Sequence, residues 1–127
     1  MKQFLFVALG GALGAIARHG INLALSTLTR PFPWSTLLVN AAGSGLLGML
    51  VGLWSGKANQ HSPGQLILAI GFLGAFTTFS TFAGESAEMW RNGQWGWLSL
   101  HCLLHNGLSL GAALLGAWLT VPPPLRS

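Results

Sequence analysis

The sequence predicts an all-α integral membrane protein built from four transmembrane helices. Three observations carry that prediction. Only 6% of its 127 residues are charged, against about 25% in a soluble domain. Asp is absent, and the carboxylate side chains are Glu85 and Glu88 alone. Four apolar runs, at about 3–25, 35–54, 66–90 and 96–120, match the roughly 20 residues that cross a bilayer. Together they form one four-span unit over residues 1–127. Four short spans enclose little water, so oligomerisation is expected.

The first span opens like a secretory signal peptide: Lys2, an apolar run, then small residues. The apolar pattern resumes through Ile21 to Leu25, which makes the segment long enough to cross and favours a retained span. Gly10 and Gly14 form a GxxxG pair that lets another helix approach closely. They also fit the ordinary abundance of Gly in membrane helices. Arg18 is costly within a span unless it snorkels to the interface or faces water. Both an interfacial Arg and a residue at an anion vestibule fit.

Arg30, Pro31 and Pro33 punctuate the first loop, and Ser35 is expected to cap the second span. In that span Asn40 and Ser44 are four apart and share a face. The Asn amide needs a partner, so it either ties helices together or lines a polar path. Gly48 and Gly52 make a second GxxxG pair. A polar loop with Lys57, His61 and Pro63 leads to a third span, expected to begin near Gln65. Asn92, Gly93 and Gln94 form the last turn. Trp95 and Trp97 then anchor a fourth span that Pro122, Pro123 and Pro124 terminate.

Along the fourth span His101, His105 and Ser109 recur every four residues as one polar stripe. It either faces a wet path or hydrogen-bonds another helix. A metal pair completed by Cys102 is disfavoured, because Cys-Leu-Leu separates the two His and no Glu lies between them. Cys102 is the one cysteine, so no disulfide framework exists.

The net charge of +4 is the six basic residues Lys2, Arg18, Arg30, Lys57, Arg91 and Arg126, scattered singly, less Glu85 and Glu88. No basic patch with interleaved aromatics forms, which excludes nucleic acid as a partner. In a four-span arrangement Lys2, Lys57 and Arg126 fall on one side, and Arg30 and Arg91 on the other. So weak a bias predicts insertion in both orientations and an antiparallel dimer. Two or three added Lys that force one orientation are then expected to abolish activity; activity in a strictly one-way population excludes the arrangement.

The most unusual stretch is Gly71 to Glu85, GFLGAFTTFSTFAGE. Gly71, Gly74 and the hydroxyl residues favour an interrupted helix, tolerated at membrane depth only where buried in protein or lining water. Freed carbonyls there suit a small cation. Phe79 and Phe82 share a face near Thr78, Ser80 and Thr81. Ring edges carry the positive end of the quadrupole, so edges and hydroxyls together suit a small anion. A Phe-rich packing face with Thr bonded back to its own helix is the plainer alternative.

The TTFSTF run, with Gly74 upstream and Glu85 downstream, resembles the signature of the CrcB (Fluc) family of small fluoride channels. ARHG around Arg18 and TLLVNAAGSGLLG with Asn40 extend the resemblance over nearly the whole chain. The resemblance implies a dual-topology homodimer in the bacterial inner membrane that passively exports fluoride through two pores. It further implies a structural, non-transported Na⁺ between subunits, held by the backbone carbonyls of Gly74 and Thr77. Phe79 and Phe82 match the pore phenylalanines, Asn40 the pore Asn, and Thr78, Ser80 and Thr81 the nearby hydroxyls. Glu85 matches the Glu closing the motif, and Arg18 the basic residue near a vestibule. Ser109, His105 and His101 fall on the polar track of the fourth span, where other members often carry hydroxyl or aromatic-hydroxyl residues. Two further departures are Gly74-Ala75 in place of Gly-Gly, and Ala83-Gly84 in place of Ser-Ala.

A four-span drug exporter is the main alternative, but it needs a Glu buried in the first span, where this chain has only neutral residues and Arg18. A membrane scaffold using the Gly pairs as dimer surfaces is a second. No catalytic triad or carboxylate pair for an enzyme is evident.

Overall fold

The computed structural model describes residues 1–28, 31–56 and 62–122. Arg30, Lys57 and Arg126, which enter the loop-charge comparison, lie outside the described residues, as do His61, Pro123 and Pro124. The described residues are all helical apart from turns and one break. Helices α1 (Lys2–Ala24) and α2 (Trp34–Trp54) are the first two spans. The third span, Pro63–Arg91, is composite. It comprises the turn α3 (Pro63–Gln65), a π-helical stretch Leu66–Leu73, the turn α4 (Gly74–Phe76) and helix α5 (Phe79–Arg91). Helix α6 (Trp95–Thr120) is the fourth. All four spans are long and apolar enough to cross a bilayer, which makes this a multi-pass membrane protein.

Two helix pairs make the subunit. The α1 helix lies against the π-helical half of the third span, and α2 lies against α6. Glycine sets both approaches. A Cβ at Gly10 would collide with the Ile67 carbonyl oxygen, and one at Gly14 with the Phe72 carbonyl oxygen. One at Gly48 would strike the Ala113 backbone. These close backbone contacts replace a hydrophobic driving force that lipid tails do not supply. Both GxxxG pairs are therefore used inside the subunit, which removes them as the dimer surfaces of a scaffold. Val39, Leu73 and Phe76 form the apolar core between the pairs, with Phe72 stacked on Phe76 at 5.6 Å. Leu5, Leu9, Leu13 and Ile16 of α1 point outward, as lipid-facing residues do.

Three local expectations change. Ser35 does not cap α2: it is buried in the first turn, Pro33 holds the N-cap position, and no side chain caps it. Trp34 starts the helix because Pro33 fixes its own φ and ends the loop there. The third span starts earlier, at Pro63, because Ser62 and Gln65 form a reciprocal capping box. The expected interruption is narrowed: the helix breaks at Thr77 and Thr78, in the hydroxyl run just past Gly74, and not at Gly71. Thr77 has ψ 154° and Thr78 φ −150° and ψ 109°, whereas Gly71 sits within the π-helical stretch.

The α5–α6 turn is a Schellman closure. Gly93 takes φ 67°, its N–H donates to the Trp90 carbonyl, and the Gln94 N–H donates to Met89. That turn sets the register of α5 against α6, and with it the site described next.

Candidate functional site

Asn40 builds the break. Its Oδ1 accepts from the Thr78 N–H at 2.8 Å, while its Nδ2 donates to the Thr78 carbonyl at 3.1 Å. The side-chain amide thus substitutes for a stretch of helix at one residue, and both groups are buried. Thr78 then starts α5 as its N-cap: Oγ1 accepts from the Thr81 N–H at 3.2 Å. The Thr78 hydroxyl also lies 3.0 Å from the Thr81 hydroxyl and 3.2 Å from that of Ser80. Three hydroxyls therefore cluster at the positive end of a 13-residue helix.

Two carbonyls lose their helical donors in this arrangement. The Thr78 N–H, four residues after Gly74, goes to Asn40. The Thr81 N–H, four after Thr77, goes to the Thr78 hydroxyl. Gly74 and Thr77 are the two positions matched above to a cation, and their oxygens are hard, neutral donors of the kind a monovalent cation accepts. Thr77 itself bonds back through Oγ1 to the Leu73 carbonyl at 2.9 Å, so the plain back-bonded alternative holds for Thr77 but not for Thr78.

A groove of about 440 Å³ opens beside the break, lined by Asn40, Ser44, Thr77, Thr78, Phe79, Phe82, His105, Asn106 and Ser109. Phe79 is 78% exposed, an odd position for a ring unless lipid or another subunit covers it. Its centroid lies 5.5 Å from that of Phe82, tilted by 50°. Phe82 packs against both His101 and His105, each at 4.8 Å. The His105 Nε2 and Ser109 Oγ atoms are buried without a protein partner; groups of this kind want water or an ion. Asn40, Phe79, Phe82, Thr78, His105 and Ser109 are thus brought together, with Ser80 and Thr81 beside them.

Behind the groove lies a polar cluster. Thr36 donates its hydroxyl to Glu85 Oε1 at 2.5 Å. Glu85 Oε2 lies 3.5 Å from His101 Nε2, which also contacts the Phe82 carbonyl at 3.4 Å. His105 Nδ1 meets the His101 carbonyl at 3.1 Å. The stripe on α6 therefore divides: His105 and Ser109 border the groove, whereas fully buried His101 bonds across to α5. Arg18, half-buried on α1, is not among the groove residues and makes no ion pair to a described residue. Cys102 stands outside the cluster.

Thr36 and Phe32 are absent from the sequence reading. Thr36 extends the Asn40–Ser44 face back by one turn, and that spacing is the signal that finds it. Phe32, fully buried with its ring 5.5 Å from His101, sits in a loop that no periodicity marks.

Residues 5–117 match the family described as CrcB-like protein, Camphor Resistance (CrcB). The chain belongs to the CrcB family. It is 44% identical over 121 residues to the fluoride-specific ion channel FluC of Hyphomonas neptunium, covering 94% of this chain and 95% of that one. It is 40% identical over 118 residues to the protein of the same name from Koribacter versatilis, covering 92% and 93%. A third FluC, from Beijerinckia indica, is 41% identical over 123 residues, covering 94% and 97%. These CrcB relatives span essentially the same length as this chain.

Proposed function

We propose that this CrcB chain is a fluoride-specific channel that passively exports fluoride across the bacterial inner membrane. The observation that carries the reading is the groove at the break, which Phe79, Phe82 and Thr78 line together. Fluoride is small and firmly hydrated, so its path must offer donors as water is shed. Hydroxyls supply hydrogen bonds, ring edges supply positive quadrupole, and the N-terminus of α5 supplies a positive dipole end. The names of the relatives choose fluoride among small anions.

The functional unit in this reading is an antiparallel homodimer. Its support is the exposed Phe79 and a groove open on one side, which a second copy would close. The Gly74 and Thr77 carbonyls, relieved of their helical donors, fit a structural Na⁺. When bound, such an ion supplies fixed positive charge that ties two breaks together. Within the chain, Asn40 holds the break open, Phe82 is braced by the His pair, and Thr36 holds Glu85 away from the anion's path.

Reconstituted vesicles loaded with fluoride or chloride test this directly. Fluoride efflux is expected, with chloride retained, and exchange of Na⁺ for a bulky organic cation is expected to slow the efflux. Equal release of both anions, or of neither, defeats the channel reading. Insensitivity to Na⁺ removes the cation site alone.

A further inference from the structure

The geometry points to a second, transition-metal site of the zinc class on Glu85, His101 and His105, behind the groove and distinct from the carbonyl cation site. The ligand atoms these three side chains offer all lie within 4.8 Å of one another. His101 Nε2 and Glu85 Oε2 are 3.5 Å apart. Two ligands bound at about 2.0–2.1 Å on a tetrahedral ion are separated by about 3.4 Å. That edge therefore already has the spacing of a shared metal, and His105 has only to close on it.

The supporting residues are set for ligation. Thr36 holds Glu85 Oε1 and leaves Oε2 facing the ring. The His105 Nδ1 contact to the His101 carbonyl, with Nδ1 as donor, leaves the lone pair of Nε2 free. Such outer partners orient metal-binding carboxylates and imidazoles. The second, independent observation is burial without partners. Glu85 Oε2, His101 Nδ1 and His105 Nε2 are buried and make no hydrogen bond. The His101 and His105 residues are only 0% and 5% exposed. A buried carboxylate oxygen and a buried imidazole nitrogen left without hydrogen bonds are groups that a bound cation satisfies, and His101 ligates through Nε2 in the tautomer that carries its proton on Nδ1. Glu88, the other carboxylate, is exposed on the same helix, and among the described residues no Lys or Arg bridges the cluster.

Two His and one carboxylate suit zinc, cobalt or nickel better than the hard Na⁺. Three protein ligands leave one position open. The ion has two approaches: His105 borders the groove, and Glu85 borders a separate polar cavity of about 680 Å³ that also contains Glu88 and Asn92. A bound dication would fix both imidazoles against Phe82 and place two positive charges beside the groove. Resting on the channel reading, this makes the metal an inhibitor, because an anion held there leaves slowly.

Cobalt(II) titration of the purified, detergent-solubilised chain tests the site without any flux. One equivalent per chain is expected to produce the intense visible bands of tetrahedral cobalt, displaced by zinc. Those bands are expected to vanish in His101→Ala, His105→Ala and Glu85→Gln, and to persist in His19→Asn and Cys102→Ser. Thr36→Val is expected to weaken binding by about 10-fold or more. An unaltered chain that yields no saturable band overturns the site, as does a band that survives His105→Ala. In vesicles, micromolar zinc is expected to slow fluoride efflux and a chelator to restore it. Zinc-insensitive efflux overturns the inhibitory role, whereas cobalt binding without fluoride efflux leaves the site standing and removes the channel reading.

Discussion

Asn40→Leu is expected to yield a chain that neither keeps its break nor passes fluoride. The amide of Asn40 satisfies both the N–H and the carbonyl of Thr78, and all of these groups are buried. Leu has similar bulk but leaves two backbone groups without partners, at about 1–3 kcal/mol each. The nearest remedy is to wind Thr77 and Thr78 back into helix. That would return the Thr78 N–H to the Gly74 carbonyl and remove the N-cap of α5. Asn40→Asp separates the two roles. Its carboxylate still accepts from the Thr78 N–H, so the break is largely kept, but it puts a negative charge on the groove wall. A unit charge about 6 Å from a passing anion costs about 3 kcal/mol at an effective dielectric of about 20. That corresponds to roughly 100-fold slower flux. Size-exclusion profiles and vesicle efflux of the two variants check this. A well-folded Asn40→Leu chain with unaltered efflux would show that the amide is packing only.

Much of this architecture is legible in the sequence, and the illegible parts share one cause. The spans follow from apolar length, the interruption from the Thr-rich motif, and the α6 stripe from its four-residue spacing. Local pattern does not say which partner a surface meets. The Gly10–Gly14 and Gly48–Gly52 pairs mark surfaces that another helix approaches, as they do here, but not whether that helix belongs to the same chain; both are used within it. The glycines and hydroxyls of the motif announce an interruption without saying at which residue it falls. It falls at Thr77 and Thr78 because Asn40, on another helix, supplies the hydrogen bonds that an unwound residue needs. The site behind the groove is the sharpest case. Glu85 and His101 read as unrelated, but each lies eight residues from Gly93. A tight antiparallel turn there sets them at the same level, and the positive φ of Gly93 makes that turn. Arg18 shows the reverse: its cost in a membrane singles it out in the sequence, but it is not among the residues that line the groove.

Gly48→Leu is expected to be the most damaging apolar substitution in the chain. A Cβ at this position would overlap the Ala113 carbonyl oxygen and approach its carbonyl carbon and Cα at 2.7 and 2.9 Å. These are backbone atoms, so no rotamer change relieves the clash and α2 must move away from α6. Nearby, the Thr120 hydroxyl lies 2.9 Å from both the Met49 carbonyl of α2 and the Gly116 carbonyl of its own helix, and such a movement removes the contact to Met49. Since α2 carries Asn40 and Thr36, and α6 carries His101 and His105, separating the two helices takes both sites apart. Overpacking typically costs about 1–3 kcal/mol, and displacement of a whole helix pair puts this variant at or above the upper end. Even Gly48→Ala is expected to lower the thermal midpoint in detergent. Gly107→Ala, where an added Cβ on α6 meets no described atom beyond the adjoining residues and local backbone of its own helix, provides the contrast. The midpoint is expected to be unchanged there; if the proposed dimer forms and this variant weakens it, that face of α6 is one that a second copy covers.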